Sequence, residues 1–232
     1  MQAVILAAGV GERLGDITQK IPKPMIAYNQ KPILEHNIIM CKKNGIDDIL
    51  INLHHLPLVI QDYFGDGSKW GVKIQYRFEP KLLGTAGTVF NFLDLINSPF
   101  FVIYGDNYFS PDTNLNYIKK IHQDKNSDFT IALCKVDDVS NSGLAEQDDS
   151  GRINRFIEKP NITGIKTGWV NAGIYFLSCD ILKNLENIFT DFGAHLIPYL
   201  INSSYNIYGV KLENRVIAID TQKLFNKEID YD

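Results

Sequence analysis

The sequence predicts an α/β fold, a mostly parallel central sheet flanked by helices and joined to a lobe of mixed strands. Short apolar runs rich in β-branched and aromatic residues recur as AVILA from Ala3, DILINL from Asp48, VKIQYRF from Val72 and FFVIY from Phe100, and predict strands. Helical periodicity separates them, over Ile33 to Lys43, Leu56 to Phe64 and a segment opening near Thr85 and running to Leu95. This alternation implies βαβ units with a parallel sheet. AVILA and FFVIY lack polar alternation, as central strands buried on both faces do.

After about Phe129 the rhythm changes. TIALCKV, RINRFIEK and WVNAGIYFL are strand-like and separated by turn-forming loops such as NSG and DDSG, with helical stretches returning near Cys179 and Asp191. No Pro/Gly/Ser linker, internal repeat or low-complexity tract interrupts the chain. The expectation is one domain over residues 1–232, with a first lobe over about 1–128 and a second over about 129–232.

Composition narrows the function classes. Of 232 residues, 45% are hydrophobic and 22% charged, which excludes disordered, collagen-like and disulfide-scaffold classes. A net charge of -4 argues against sequence-independent nucleic-acid binding, which needs a basic surface. Cys41, Cys134 and Cys179 form no CxxC pair, so neither a zinc site nor a disulfide framework is suggested. The N-terminal apolar stretch is too short for a signal h-region, and no run approaches the ~18 apolar residues of a membrane span. A soluble, cytoplasmic protein without a membrane or nucleic-acid partner is expected.

Ligands of open α/β sheets sit outside the carboxyl ends of the parallel strands. Those ends carry LAAGVGERL, FEPKLLGTAG and YGDN. In the first, Ala7, Ala8, Gly9 and Gly11 leave little side-chain bulk, so backbone N–H groups can approach a phosphate or base edge. The third glycine of a dinucleotide fingerprint and the GK[ST] of a P-loop are both missing. Arg13 and Lys23 follow, Lys23 between Pro22 and Pro24 on what is expected to be an extended, stiff segment. EPKLLGTAG places a loop before a helix whose amides can face an anion. Asp106 puts a carboxylate after a buried strand. His54 and His55 have no Cys or third His nearby and are assigned ordinary structural roles.

The run from Leu6 to Met25, LAAGVGERLGDITQKIPKPM, resembles the signature LAAGxGTRLxPLTxxxPKPM of the sugar-1-phosphate nucleotidyltransferases, most closely the mannose-1-phosphate guanylyltransferases. Leu6, Ala7, Ala8, Gly9, Gly11, Arg13, Leu14, Thr18, Pro22, Lys23, Pro24 and Met25 match. Glu12 stands where threonine is usual and is expected to point away from the phosphates, and Gly15-Asp16 replaces a common Pro-Leu. The likeness continues through KPILEH, INLHHL, GDGSKWGV, EPKLLGTAG, YGDN, FIEKP, VNAGIY and IDT.

The resemblance implies a Rossmann-like sheet of the nucleotide-diphospho-sugar transferase type and a site for each substrate. Nucleotide contacts fall on Leu6, Ala7, Ala8, Gly9, Gly11, Arg13, Lys23, Glu79, Gly84 and Thr85. Sugar-phosphate contacts fall on Asn107, Gly143, Glu158, Lys159 and Asn171. Arg13, Lys23 and Asp106 carry catalysis, and Asp106 and Asp220 would hold Mg²⁺. By the same resemblance the partners are a nucleoside triphosphate, GTP favoured, and a sugar 1-phosphate of manno configuration, and self-association stays open. Uridylyl and thymidylyl transfer, and a catalytically silent nucleotide-sugar-binding regulatory subunit, remain alternatives. A glycosyltransferase would use DxD where this chain has GDN. With the chain ending at Asp232, the left-handed β-helix of longer relatives and its acetyltransferase activity are not expected.

Overall fold

The structure is a computed structural model and describes residues 1–97, 99–161, 167–185 and 190–218, apart from the side chain of Arg13. Its first elements are β1 (Gln2–Leu6), α1 (Asp16–Lys20), β2 (Ala27–Tyr28), β3 (Lys31–Pro32), α2 (Ile33–Lys43), β4 (Asp48–Leu53), α3 (Pro57–Phe64) and β5 (Lys73–Phe78). There follow α4 (Gly84–Asn91), β6 (Phe100–Tyr104), β7 (Asn107–Tyr108), α5 (Leu115–Asp124), β8 (Phe129–Val136), β9 (Gly143–Gln147) and β10 (Ile153–Glu158). The last are β11 (Gly168–Leu177), α6 (Cys179–Lys183), α7 (Ile197–Asn202), β12 (Ile207–Lys211) and β13 (Ile217–Ala218).

The chain divides into two compact units. The first comprises Met1–Leu82, Ile103–Thr113 and Val216–Asp232, and the second Leu83–Val102 and Asn114–Arg215, so the division falls within β6. In the first unit β1 pairs in parallel with β4, and β4 with β5. Residues Gln2 to Ile5 are buried, as the lack of polar alternation requires. Helix α2 covers this unit with Ile33, Leu34, Ile38, Met40 and Cys41, none of which is exposed. Asn44 and Gly45 end it. Gly45 adopts φ +73°, and the Ile46 N–H returns to the carbonyl of Cys41 at 2.9 Å, closing the last turn as a left-handed glycine cap does.

In the second unit the strands are mixed. β8 lies between β12, parallel, and β11, antiparallel, while β9 pairs antiparallel with β10 and β11. A π-helical turn over Phe192–Leu196 leads into α7. Its first residue joins an aromatic cluster with Phe129 and Tyr175, ring centroids 4.6 to 5.9 Å apart and all three fully buried. Such spacing adds pairwise attraction to the burial of large rings.

All three cysteines are buried. Burial pushes the Cys41 thiol up to about 12 and that of Cys134 up to about 11. No helix among the described residues is long and apolar enough to cross a membrane.

The aromatic cluster gives a direct test of the second unit. Phe192→Ala empties a fully buried ring site and should lower the free energy of unfolding by roughly 3–5 kcal/mol, measured by urea denaturation.

Candidate active site

The small-residue loop opens where β1 ends. Ala7 and Ala8 are buried, whereas Gly9 is exposed and a Cβ there would meet nothing within 4 Å. Gly11 adopts φ +67°, and a Cβ on it would lie 2.8 Å from Thr18 Cγ2. Thr18 is the post around which the loop folds: its hydroxyl reaches the carbonyls of Gly11 and Gly15, 3.1 Å from each. Its own carbonyl accepts from His55 Nε2 at 2.6 Å. The matched threonine thus has an architectural role, as does His55. Glu12 is exposed.

Lys23 departs from the expectation of an extended segment. Pro22 is extended, at φ -58° and ψ 142°, but Lys23–Met25 form a 3-10 turn closed by the Met25 N–H on the Pro22 carbonyl at 2.8 Å. Pro24 inside the turn needs no amide partner, so the tight geometry loses no hydrogen bond. The result is a buried lysine rather than a solvated one, 5% exposed. A buried ammonium must be paired. Lys23 Nζ lies 2.6 Å from Asp106 Oδ2.

Gly105 and Asn37 set Asp106 in place. The Gly105 N–H bonds the Leu6 carbonyl at 2.9 Å, and a Cβ on Gly105 would stand 2.8 Å from that oxygen, so the Gly-Asp turn needs glycine to reach the root of the small-residue loop. Asn37, fully buried on α2, donates its amide to the carbonyls of Asn107 at 2.9 Å and Tyr104 at 3.4 Å, on either side of Asp106. Asn107 starts β7, which pairs with β13.

Asp106 offers one ligand of the type Mg²⁺ takes. Its carboxylate is a hard oxygen ligand with its side chain 29% open, and Mg²⁺ is commonly held by one or two carboxylates with phosphate oxygens and waters. Among the described residues no group of three or more His, Cys, Asp or Glu gathers into an all-protein cage. Asp220, the second expected ligand, lies outside the described residues.

Glu79 is brought to the small-residue loop by an intermediary. Only 1% exposed, it accepts at Oε1 from Asn52 Nδ2 at 2.9 Å, and Asn52 Oδ1 accepts from the Ala7 N–H at 2.7 Å. His54 donates through Nδ1 to the Glu79 carbonyl at 2.7 Å, again a structural role. Asn52 and Asn37 went unassigned in the sequence. Asn52 carries a signal as a polar residue among the apolar residues of DILINL, whereas Asn37 follows the polar Glu35 and His36 on α2 and has none.

In the second unit the start of α4 is already engaged. The carbonyl of Thr190 accepts from Ala86 and Gly87 N–H at 3.1 and 3.4 Å, and Thr85 Oγ1 donates to Asp191 Oδ2 and accepts from Phe192 N–H, each at 2.9 Å. Gly84, at φ +79°, would collide with Thr190 O if it bore a Cβ. The helix N-terminus expected to face a ligand is thus filled by the 190–192 strap, and Gly84 and Thr85 hold that strap.

Gly143, Glu158 and Asp191 converge in the same unit. A Cβ on Gly143 would meet Glu158 Oε2 at 2.9 Å, and one on Gly193 would collide with it, so two glycines make room for this carboxylate. Burial first, and then the charge of Asp191, raises the Glu158 carboxyl above its ordinary 4.5, while Lys159 works the other way. Lys159 itself is exposed and adopts φ +45°, a conformation uncommon for a residue with a side chain. It is held by its N–H on the Ser142 carbonyl at 3.1 Å. Asn171 is engaged within β11, its amide on the Tyr175 hydroxyl at 2.5 Å and its Oδ1 accepting from Gly173 N–H at 2.9 Å. It holds the irregularity between Asn171 and Tyr175 where the β8 register shifts.

The raised Glu158 carboxyl has a pH signature. Between 4.5 and its folded value the native state holds more protons than the unfolded one, so stability falls as pH rises through that window and stays lowered above it. Glu158→Gln should remove that slope and raise Tm at pH 7 relative to the parent, read by calorimetry across pH 4 to 8.

Known proteins share this architecture. The family model described as Nucleotidyl transferase matches residues 2–215. A UTP–glucose-1-phosphate uridylyltransferase of Synechocystis is 35% identical over 92% of this chain and 58% of its own length. A D-glycero-alpha-D-manno-heptose 1-phosphate guanylyltransferase of Campylobacter jejuni is 35% identical over 79% of each chain. The β catalytic subunit of zebrafish mannose-1-phosphate guanylyltransferase is 30% identical over 97% of this chain. The chain thus spans 58% and 62% of the cyanobacterial and zebrafish relatives. Among solved structures, HddC from Yersinia pseudotuberculosis matches with a TM-score of 0.80 and 28% identity over 98% of this chain and 97% of its own. A putative glucose-1-phosphate thymidylyltransferase from Bacillus anthracis reaches a TM-score of 0.86 over 100% of this chain and 97% of its own, at 22% identity, which speaks to the fold alone. The α/β fold, with parallel strands in the first unit and mixed strands in the second, is that of the nucleotide-diphospho-sugar transferase type, and the chain belongs to the nucleotidyl transferase family.

Proposed function

We propose that this protein transfers a nucleotidyl group from a nucleoside triphosphate, GTP favoured, to a sugar 1-phosphate, releasing pyrophosphate and forming a nucleotide-sugar. Mannose 1-phosphate or another manno-configured sugar is the favoured acceptor. The observation that carries the reading is the buried Lys23 held 2.6 Å from Asp106, whose turn is fastened to the root of a loop with an open Gly9. The preference for GTP rests on the Campylobacter guanylyltransferase and on a second HddC structure, 28% identical and complexed with GMP-PN. The cyanobacterial uridylyltransferase, 35% identical over 228 residues, favours UTP and glucose 1-phosphate as the second reading.

An oxygen of the sugar phosphate attacks the α-phosphorus; the new P–O bond forms as the bond to the bridging oxygen breaks, and pyrophosphate leaves. The acceptor is already ionised at neutral pH, so neither a side-chain nucleophile nor a general base is needed. The difficulty is repulsion between two anions, and positioning with electrostatic stabilisation meets it. Arg13 and Lys23 take the triphosphate, while Lys23 also keeps Asp106 in a single orientation. Asp106 and Asp220 would hold Mg²⁺, which would supply charge neutralisation to the phosphates. In the second unit Glu158 takes sugar hydroxyls and the exposed Lys159 the acceptor phosphate. Consumption of a nucleoside triphosphate suits a cytoplasmic enzyme.

Pyrophosphate release with Mg²⁺ tests the reading, with GTP, UTP, dTTP, CTP and ATP each offered against mannose 1-phosphate, glucose 1-phosphate, an amino-sugar 1-phosphate and a manno-heptose 1-phosphate. GTP with a manno-configured acceptor should turn over fastest. Lys23→Ala and Asp106→Asn should each lower kcat by about 100-fold or more, the scale on which removing one charge-stabilising group acts. Silence across the panel from protein that still binds a nucleotide-sugar would overturn transfer in favour of a regulatory subunit.

A further inference from the structure

The first unit contains a polar chain whose side chains are closed to solvent, so that Glu79, expected among the nucleotide contacts, acts on the loop through Asn52. The Ala7 N–H donates to Asn52 Oδ1 at 2.7 Å, and Asn52 Nδ2 donates to Glu79 Oε1 at 2.9 Å. Ala7, Asn52 and Glu79 are only 3%, 3% and 1% exposed. We propose that Asn52 is a positioning residue for the nucleotide, locking the first amide of the small-residue loop to the carboxylate at the end of β5.

The argument is one of donors and acceptors. The Ala7 N–H requires an acceptor and the buried Glu79 carboxylate requires donors, and a primary amide offers one face of each kind. Asn52 can satisfy both in one orientation only, because a flipped amide would set NH₂ against N–H and oxygen against carboxylate. The residues just beyond β1 and β5 are thereby fixed to β4, which lies between the two strands in the parallel register Leu6↔Asn52↔Arg77. An apolar residue would pack as well in the strand run DILINL, so the asparagine answers a demand for orientation. Leaving a buried donor or acceptor unpaired is costly, and the loop would move to recover a partner.

The role rests on the nucleotidyltransferase reading, and its test is chosen to separate the two. Binding of GTP and UTP is measured by titration calorimetry without acceptor, and the KM values for nucleotide and for sugar phosphate are measured alongside. Asn52→Leu, which keeps the branching at Cγ but removes both hydrogen bonds, should weaken nucleotide binding tenfold or more while the KM for sugar phosphate stays within twofold. A lowered Tm with unchanged nucleotide affinity would overturn the role. Because Asn52→Leu can fail to fold, a polarity swap provides the second arm. Asn52→Asp alone sets two carboxylates against each other and should weaken nucleotide binding tenfold or more. Combined with Glu79→Gln, the chain re-forms with the same net charge, the new aspartate accepting from Ala7 N–H and from the new glutamine amide, and affinity should return to within threefold of the parent. A double variant no better than Asn52→Asp would overturn the proposal. Parent protein that binds neither nucleotide would overturn the functional reading and this role with it, whereas parent protein that binds while Asn52→Leu binds equally well would overturn the positioning role alone.

Discussion

A lysine buried to 5% exposure is tolerable only beside a negative charge, and much of the first unit exists to deliver that charge. Asp106 reaches Lys23 because Gly105 lets the backbone close on the Leu6 carbonyl and because Asn37 clamps the carbonyls on either side. Lys23 is fixed from its own side by the proline-flanked 3-10 turn, which also carries Met25 and Ile26 into the interior. Ile26 packs with Leu14, Ile33 and Ile217, so the loop, the turn, α2 and β13 share one small core. Breaking a pair of this kind leaves an uncompensated charge among apolar neighbours, which is the larger loss.

The second unit solves a different problem. Its central carboxylate, Glu158, is kept where burial and Asp191 oppose its charge, with only Lys159 working the other way among the causes of its shift. Asp191 is itself fastened by Thr85 Oγ1 and the Ala194 N–H, so the strap that fills the start of α4 also fixes the carboxylate that tunes Glu158. An uncommon backbone conformation at Lys159 marks the same neighbourhood, and such conformations persist where the surrounding structure over-determines them.

Much of this was legible in the sequence, for reasons that differ by element. The strands DILINL and FFVIY and helix α2 appear with the expected bounds because their patterns are unambiguous and long enough to bury. The helix expected to reach Leu95 ends at Asn91, after which tight turns take over toward Pro99. Helix α5 was not singled out because only Leu115 and Ile118 are buried on it, although Asn114 caps it by accepting from the Tyr117 N–H at 3.0 Å. Strands β9 and β12 escaped for another reason: Gly143 and Gly209 weaken any propensity signal, and each glycine is there because a neighbouring side chain occupies the space of its Cβ. At the site, motif density exposed Lys23 and Asp106, but Asn37, which clamps the carbonyls beside Asp106, Asn52, which bridges Ala7 and Glu79, and Asp191, which opposes the charge of Glu158, act through partners 27 to 106 positions away, which no local pattern encodes.

The three buried thiols bear on how the molecule can be handled. Thiolate is the reactive form, and with Cys41 and Cys134 shifted to about 12 and about 11 almost none is present at neutral pH, while burial also denies reagents access. In the folded protein all three thiols are closed to alkylating agents by burial. Modification must wait for the chain to open, and the residue that reacts identifies where it opened: Cys41 on α2 marks the first unit, Cys134 on β8 and Cys179 on α6 the second. The same residues that contribute nothing to the chemistry thus furnish a built-in label for the local stability of each unit.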